Sequence, residues 1–518
     1  MGFEGHLVSV EVEIRRGLPL TEIIGLPAGE VKESKERVRA AIRRSGYEVP
    51  MDRVLINLAP AAVRKRGAAF DLAIAVALLE ASGQIDAPLP GALLVMGELR
   101  LDGSILPVSG VLAALLCGRN HGVRNVILSK ENLREAEFFG NMNLLVLDSL
   151  RDLFPPGGVL EFAKIRSIET EVGYRAAGHA QDDVADRDER DGIDYREVRG
   201  QLTAKRAVLA AAAGGHHALL LGPPGTGKSM IARRVGAILP ALRREQQIEV
   251  SAIRSILGRP ADGRGIRPPI RAPHHSASLE GIVGGGSAGL PGEISLAHGG
   301  ALVLDEALEF KSSVLQALRE PLESRVVRLV RAEYQIWYPA GFILLLTSNL
   351  CPCGGLGGKN HTCSCTASEI RRYWSRLGQA VLDRVEVRAF LDSEGKSEIE
   401  ELPSKSDPAS WSNAEMVKRV TLARERQVLR FAEVSFVSNA EIPPAALDRY
   451  CALSSVLTAL LTEKCREAKL SYRAEHAVRR VARTLADLGD QERIVEEHLR
   501  LALHLRSQGN LEQVLKRS

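Results

Sequence analysis

The chain has 518 residues, too many for one hydrophobic core, and points to about three domains. Its 68 basic and 64 acidic residues leave a formal charge of +4, so any surface for a polyanion must be local. The opening MGFEGHLVSVEVEI lacks the basic-then-apolar order of a secretory signal. The most apolar stretch, AFDLAIAVALLEASG, carries Asp71 and Glu80 and falls short of the roughly 20 residues a membrane helix needs. These features argue against a membrane span or a secreted disulfide scaffold and for a cytoplasmic chain with reduced thiols.

Residues 1–165 alternate two periods. LVSVEVEI repeats every second residue, as a strand does, and VLINLAP, ALLVMGEL and NVILS read as further short strands. EVKESKERVRAAIRRSG is helical, with Val31, Val38, Ala41 and Ile42 on one face. This predicts an α/β domain. Residues 166–192, with QDDVADRDERDG, have almost nothing to bury and predict a solvated linker. Residues 193–395 read as a second α/β domain and residues 395–410 are polar again. Residues 412–518 are helical throughout, in runs such as NAEMVKRVTLARERQVLRF and AEHAVRRVARTLADL.

The second domain carries the chemistry. Gly222, Pro223, Pro224, Gly225, Thr226, Gly227, Lys228 and Ser229 fit G-x-x-x-x-G-K-[ST], between an apolar strand and a helix. In that pattern backbone N–H groups wrap the phosphates of ATP, Lys228 reaches the β- and γ-phosphates, and Ser229 ligates Mg²⁺. The run ALVLDE supplies the carboxylates such a loop needs: Asp305 for the metal and Glu306 for the attacking water. FILLLTSN is another buried strand, and Asn349 at its end is placed to hold that water. Downstream come Arg376, then Arg384, the choice for an arginine finger reaching a neighbour's ATP. Arg473, at a helix start in the last domain, is placed to touch the same phosphates from a lid.

Four of the seven cysteines fall in CPCGGLGGKNHTCSC, residues 351–365. In extended chain, residues i and i+2 point the same way, so each C-x-C pair can offer two thiolates to one ion. Cys351, Cys353, Cys363 and Cys365 would complete a tetrahedral Zn²⁺ site, with His361 as a spare ligand. A reduced, unliganded Gly-rich loop is the alternative. Cys117, Cys451 and Cys465 lie in apolar patterns and are expected in the core.

The order of phosphate loop, DE strand, Asn strand, arginine and helical lid arginine resembles the AAA+ ATPases. Nearly the whole chain resembles the ComM/YifB family of magnesium chelatase-related proteins, in GLPAGEVKESKERVRAAIRRSGYEVP, INLAPAAVRKRGAAFDL, PGEISLAHGGALVLDEALEF, SNLCPCG, LDRVEV and LSYRAEHAVRRVARTLADL. The resemblance implies a homo-oligomeric ring, a hexamer, using ATP and Mg²⁺, in a family implicated in DNA branch migration during natural transformation. Two departures are visible. Ala307–Leu308 follow the DE pair where the family has Leu-Pro, and the family's first strand is missing ahead of GFEGHLV, which implies either a misplaced start or an altered sheet edge.

The first domain resembles the Lon protease domain in GELRLDGSILPVSG and ILSKEN. By motif position the nucleophilic serine would fall at Ala69 and the lysine at Leu112, which implies a protease fold without proteolysis. Two segments interrupt the motor core. One, RPPIRAPHHSASLEGIVGGGSAGLPGEIS, carries Arg267, Arg271, His274 and His275. The other, SRVVRLVRAEYQIWY, carries Arg325, Arg328 and Arg331, with a tip near Ala332–Glu333. In ring motors of this type such loops line the pore, so these arginines are the candidates for sequence-tolerant contacts to DNA. The rival readings are a chelatase-type motor driving metal insertion into a tetrapyrrole and, third, an ATP-dependent protease, against which Ala69 and Leu112 argue.

Overall fold

The computed structural model describes residues 3, 5–85, 89–153, 163–165, 194–259, 266–331, 334–358, 363–391 and 411–507. The expected linker at 166–192, the polar stretch at 395–410, the tip Ala332–Glu333, His361 and the last residues of the helical region lie outside the described residues.

The first domain is α/β. The strand Arg53–Ala59 sits between Ser9–Arg15, antiparallel to it, and Leu20–Ile24, parallel to it. Val54, Ile56 and Leu58 alternate into the core, and the helices Gly29–Arg44 and Asp71–Ala81 cover that face. The buried Asp71 carboxylate is held by the Arg37 guanidinium at 2.7 and 3.0 Å. A second sheet runs parallel through Leu93–Val95, Asn125–Ser129 and Met142–Leu147, with Ala163–Ile165 antiparallel at its edge.

This domain is packed onto the next one directly. The helix Val111–Asn120 lies on the helix Arg244–Ile256, and Leu112 and Leu115 share one apolar core with Ile248 and Ala252. The Gly110 N–H donates to the Ser255 carbonyl at 2.9 Å across the same contact.

The second domain is a five-stranded parallel sheet in the order Ile270–Arg271, Ala301–Leu304, Ile343–Ser348, Ala218–Leu221, Val387–Phe390. Every residue of the three central strands is buried, which is why they read as apolar runs, broken only by Thr347 and Ser348 at the end of one. Truncating one of those leucines to alanine would cost about 2–5 kcal/mol. Two short insertions stand outside the sheet. The hairpin Val326–Arg331/Tyr334–Pro339 buries Val327 and Leu329 and turns Arg328, Val330 and Arg331 outward. The Tyr338 hydroxyl donates to the Gly289 carbonyl at 2.7 Å and ties this hairpin to the Gly-rich insertion.

The last region is helical: Asn413–Arg430, Ser455–Glu467, Tyr472–Leu488 and Glu496–Ser507. Ser412, Ser454 and Ser471 cap the first three, each accepting from an amide at 3.2–3.3 Å. Each cap contributes about 1 kcal/mol. A buried polar seam joins these helices to the sheet. Glu386 meets His216 on one side and Arg480 Nε at 2.9 Å on the other, and His216 reaches Thr484 Oγ1 at 2.7 Å. Burial pushes the Glu386 carboxyl up, but Arg480 and His216 outweigh it and hold it down at about 2. Among the described residues, no helix is long and apolar enough to cross a membrane.

Candidate active site

In a parallel sheet the loops that follow the strands gather at one edge, and the ligand sites of such sheets lie there. Gly222, Asp305 and Asn349 each follow one of the three central strands and meet at that edge. The first position is set by sterics. A Cβ added at Gly222 would lie 2.3 Å from the Leu391 backbone oxygen, so only glycine fits where the loop leaves its strand.

Lys228 opens the helix Lys228–Arg233 and folds back into the loop. Its ammonium donates to the Gly222 and Pro223 carbonyls at 2.7 and 2.8 Å and to Asn349 Oδ1 at 3.1 Å. These oxygens stand in for the phosphate oxygens that a bound nucleotide would present. Burial lowers the Lys228 pKa to about 8, against the opposing pull of Asp305 and Glu306.

The metal side of the site is an oxygen cluster. Ser229 Oγ donates to Asp305 Oδ1 at 2.6 Å, and Thr347 Oγ1 donates to the same oxygen at 2.6 Å. Burial pushes the Asp305 carboxyl up. Hydrogen bonds from Ser229 and Thr347 and the Arg233 charge at 3.4 Å outweigh that, so it is held below its ordinary value and stays anionic. A hydroxyl beside an anionic carboxylate is a hard oxygen set, which fits Mg²⁺. Glu306 is exposed, with φ of 51°, and its N–H donates to Thr347 Oγ1 at 2.9 Å. A non-glycine residue held in the left-handed region is a local strain of the kind that gathers at working sites. Thr347 thus fixes both acidic residues. It is a fully buried polar residue in an apolar strand, and that position was its signal in FILLLTSN.

The two distal arginines converge elsewhere. Arg384 is half-buried and paired with Glu323, and Arg473 lies 3.7 Å from the same carboxylate. Arg376 donates to the Leu308 carbonyl at 2.8 Å, beside the DE pair.

The three insertion arginines do not stay together. Arg328 and Arg331 sit on the outer face of the hairpin, each 4.0 Å from a carboxylate, Glu320 and Glu280. Arg325 instead ends the short helix Pro321–Ser324 and pairs with Glu441 of the helical region at 2.7 Å. Arg325 thus stands apart from the outer face of the hairpin, its exposed guanidinium paired across a contact with the helical region. Arg271 is likewise taken, by Glu293 at 2.6 and 2.7 Å.

Cys351, Cys353, Cys363 and Cys365 bring all four Sγ atoms within 4.8 Å of one another, and none is in a disulfide. Four sulfurs 2.3 Å from a tetrahedral zinc stand about 3.8 Å apart. The observed separations of 3.3, 3.6 and 3.7 Å among Cys351, Cys353 and Cys363 are close to that spacing. The Gly355 N–H donates to the Cys353 sulfur at 3.4 Å and lowers its thiol to about 6, whereas burial pushes the Cys351 thiol up to about 12 against the Leu356 N–H bond at 3.3 Å. The donor set fits a thiophilic divalent metal. Cys117, Cys451 and Cys465 are buried.

Three family models match this chain: "Subunit ChlI of Mg-chelatase" over residues 10–132, "Magnesium chelatase, subunit ChlI" over 194–399, and "Magnesium chelatase, subunit ChlI C-terminal" over 410–506. The chain is 38% identical over 510 residues to the YifB proteins of Salmonella typhimurium and Escherichia coli, covering 98% of this chain and 95% of each relative. It is 34% identical over 516 residues to competence protein ComM of Haemophilus influenzae, covering 99% and 97%. A partial likeness, 30% over 155 residues and 27% of each chain, links it to Lon protease 2 of Bacillus subtilis.

Proposed function

The chain belongs to the ComM/YifB family of magnesium chelatase-related AAA+ ATPases, and from that premise we propose that it is an ATP-driven ring motor acting on DNA in recombination or natural transformation. The observation that carries the ATPase half is the meeting of Lys228, Ser229, Asp305 and Asn349 at one sheet edge. Lys228 binds the β- and γ-phosphates. Ser229 and Asp305 would hold Mg²⁺, which neutralises phosphate charge when bound. Glu306 orients the attacking water and Asn349 holds it near the γ-phosphate.

Arg384 and Arg473 share Glu323 as their acidic partner. That supports their acting on the ATP of the next subunit in a hexameric ring. The DNA half rests on the exposed Arg328 and Arg331 of the hairpin and on the name competence protein borne by a relative similar over its full length. That full-length likeness, first domain included, favours DNA over tetrapyrrole chelation. Ala69 and Leu112 lack the side chains for Lon-type proteolysis, so the first domain serves assembly or partner binding. The four clustered thiolates hold Zn²⁺. The motor works in the cytoplasm.

The test is ATP-dependent migration of a labelled synthetic four-way junction. The parent should resolve it and Glu306→Gln should not. Resolution without ATP, or none by the parent with ATP at low salt, would refute the reading.

A further inference from the structure

The cysteine loop forms one wall of the phosphate loop. A Cβ added at Gly354 would lie 2.8 Å from Pro224 Cγ, and one at Gly358 would lie 3.6 Å from Pro223 Cβ. The two loops therefore pack with no room for a side chain at Gly354. They are also joined at the other end: Asn349, two residues before Cys351, accepts from Lys228 at 3.1 Å. Lys228, the two prolines, the cysteine loop and Asn349 make a closed circuit around the place where phosphates would sit.

Both ends of the cysteine loop are anchored. The Leu350 carbonyl accepts from Trp374 Nε1 at 3.0 Å. Immediately after Cys365, Thr366 and Glu369 form a reciprocal capping box that fixes where the next helix starts. Among the described residues between these anchors, the backbone bonds are those of turns. The Gly354 N–H to the Cys351 carbonyl at 3.1 Å and the Gly358 N–H to the Gly355 carbonyl at 3.2 Å are turn bonds. Cys351 is fully buried, whereas Cys353 is exposed, so the cluster links a core position to the outer turn of the loop. A cross-link among the four sulfurs is the interaction that would fix that outer turn against the prolines.

We propose that the metal held by these four thiolates braces the phosphate loop, so that its occupancy sets the affinity for ATP. The effect falls on binding because the contact reaches Pro223 and Pro224, whereas Asp305 and Glu306 are held from the other side by Ser229 and Thr347. The inference rests on Gly222–Ser229 being the ATP loop and on the thiolates binding zinc, and the experiment separates those premises from the brace itself.

The full-length protein is purified without chelator and its metal content measured by mass spectrometry. Binding of a fluorescent ATP analogue is then titrated before chelation, after it, and after zinc is restored, with circular dichroism following the fold. About one zinc per chain is expected, with affinity at least tenfold weaker after removal and recovered on restoration. Cys353→Ser should show the weaker affinity without recovery. Gly354→Ala keeps all four thiols, and should keep the zinc yet bind the analogue more weakly because its Cβ displaces Pro224. Unchanged affinity in folded, metal-depleted protein would overturn the brace while leaving the metal site. Protein that never carries zinc nor takes it up would overturn both. Zinc-loaded protein that binds no analogue would instead overturn the ATP-loop premise, and the brace with it.

Discussion

Lys228 donates to Asn349 Oδ1 at 3.1 Å, across two neighbouring parallel strands of the sheet. The Lys228 ammonium and the polar end of the adjacent strand are thus in direct contact. Nucleotide phosphates would have to share or replace this bond. Asn349→Ala should therefore leave ATP bound within a few-fold of the parent affinity while slowing turnover by roughly 10² or more, since the lost amide acts on the attacking water. Equal turnover in Asn349→Ala, measured by phosphate release at saturating ATP, would remove Asn349 from the mechanism.

With burial holding the Lys228 pKa at about 8, ATP binding is expected to depend on pH. Phosphate oxygens favour the charged ammonium, so the bound pKa is higher than the free one, and binding takes up a proton above the free value. The favourable contribution is complete below pH 8 and is lost as pH rises through the range between the two values. Affinity should fall by up to about tenfold per pH unit above 8, and the slope should vanish in Lys228→Met. Calorimetric titrations at pH 7 and 9 check this.

Thr347 is the residue that reading the sequence passed over, and it predicts a distinct phenotype. Thr347→Val keeps the shape but removes the donor to Asp305 and the acceptor for the Glu306 N–H. Turnover should drop by roughly 10²-fold, with the apparent Mg²⁺ requirement raised. Glu306→Gln should differ by keeping both ATP and Mg²⁺ affinity while stalling hydrolysis. A Thr347→Val enzyme with parental kinetics would show that its hydrogen bonds are only structural.

The finger assignment predicts complementation. Arg384→Ala should lower turnover by roughly 10³-fold, as removal of an arginine finger does. Mixing it with Lys228→Ala subunits should recover activity above either alone, because some interfaces then pair an intact loop with an intact finger. Full activity from dilute monomers would contradict action across subunits.

Much of this arrangement was legible because the residues that end apolar strands are constrained by the strands themselves. HALLLGPPGTGKS, ALVLDE and FILLLTSN each announce a buried run followed by a polar or Gly-rich end, and a parallel sheet gathers such ends at one edge. The four cysteines were legible for a similar reason, as a local pattern within 15 residues. What could not be read were long-range pairings. Nothing in SRVVRLVRAEYQIWY tells Arg325 from Arg328, yet one meets Glu441, over a hundred residues away in sequence, and the other stands near Glu320, eight residues before it. Glu323 carries no motif, and its partners, Arg384 and Arg473, come from two other parts of the chain. The packing of the first domain on the helix Arg244–Ile256 was hidden in the same way.

The claim that this motor works on DNA is tested most directly by the ATPase rate with and without forked DNA at low salt. Parent protein should be stimulated several-fold, with the stimulation fading as salt rises, because backbone contacts release counterions. The Arg328→Ala/Arg331→Ala double variant should keep the basal rate, since both residues lie on the hairpin away from Lys228, Asp305 and Glu306, and should lose most of the stimulation. Stimulation of the double variant equal to the parent's would contradict the hairpin as the DNA contact, and a parent rate indifferent to single-stranded, duplex and forked DNA alike would contradict the account itself.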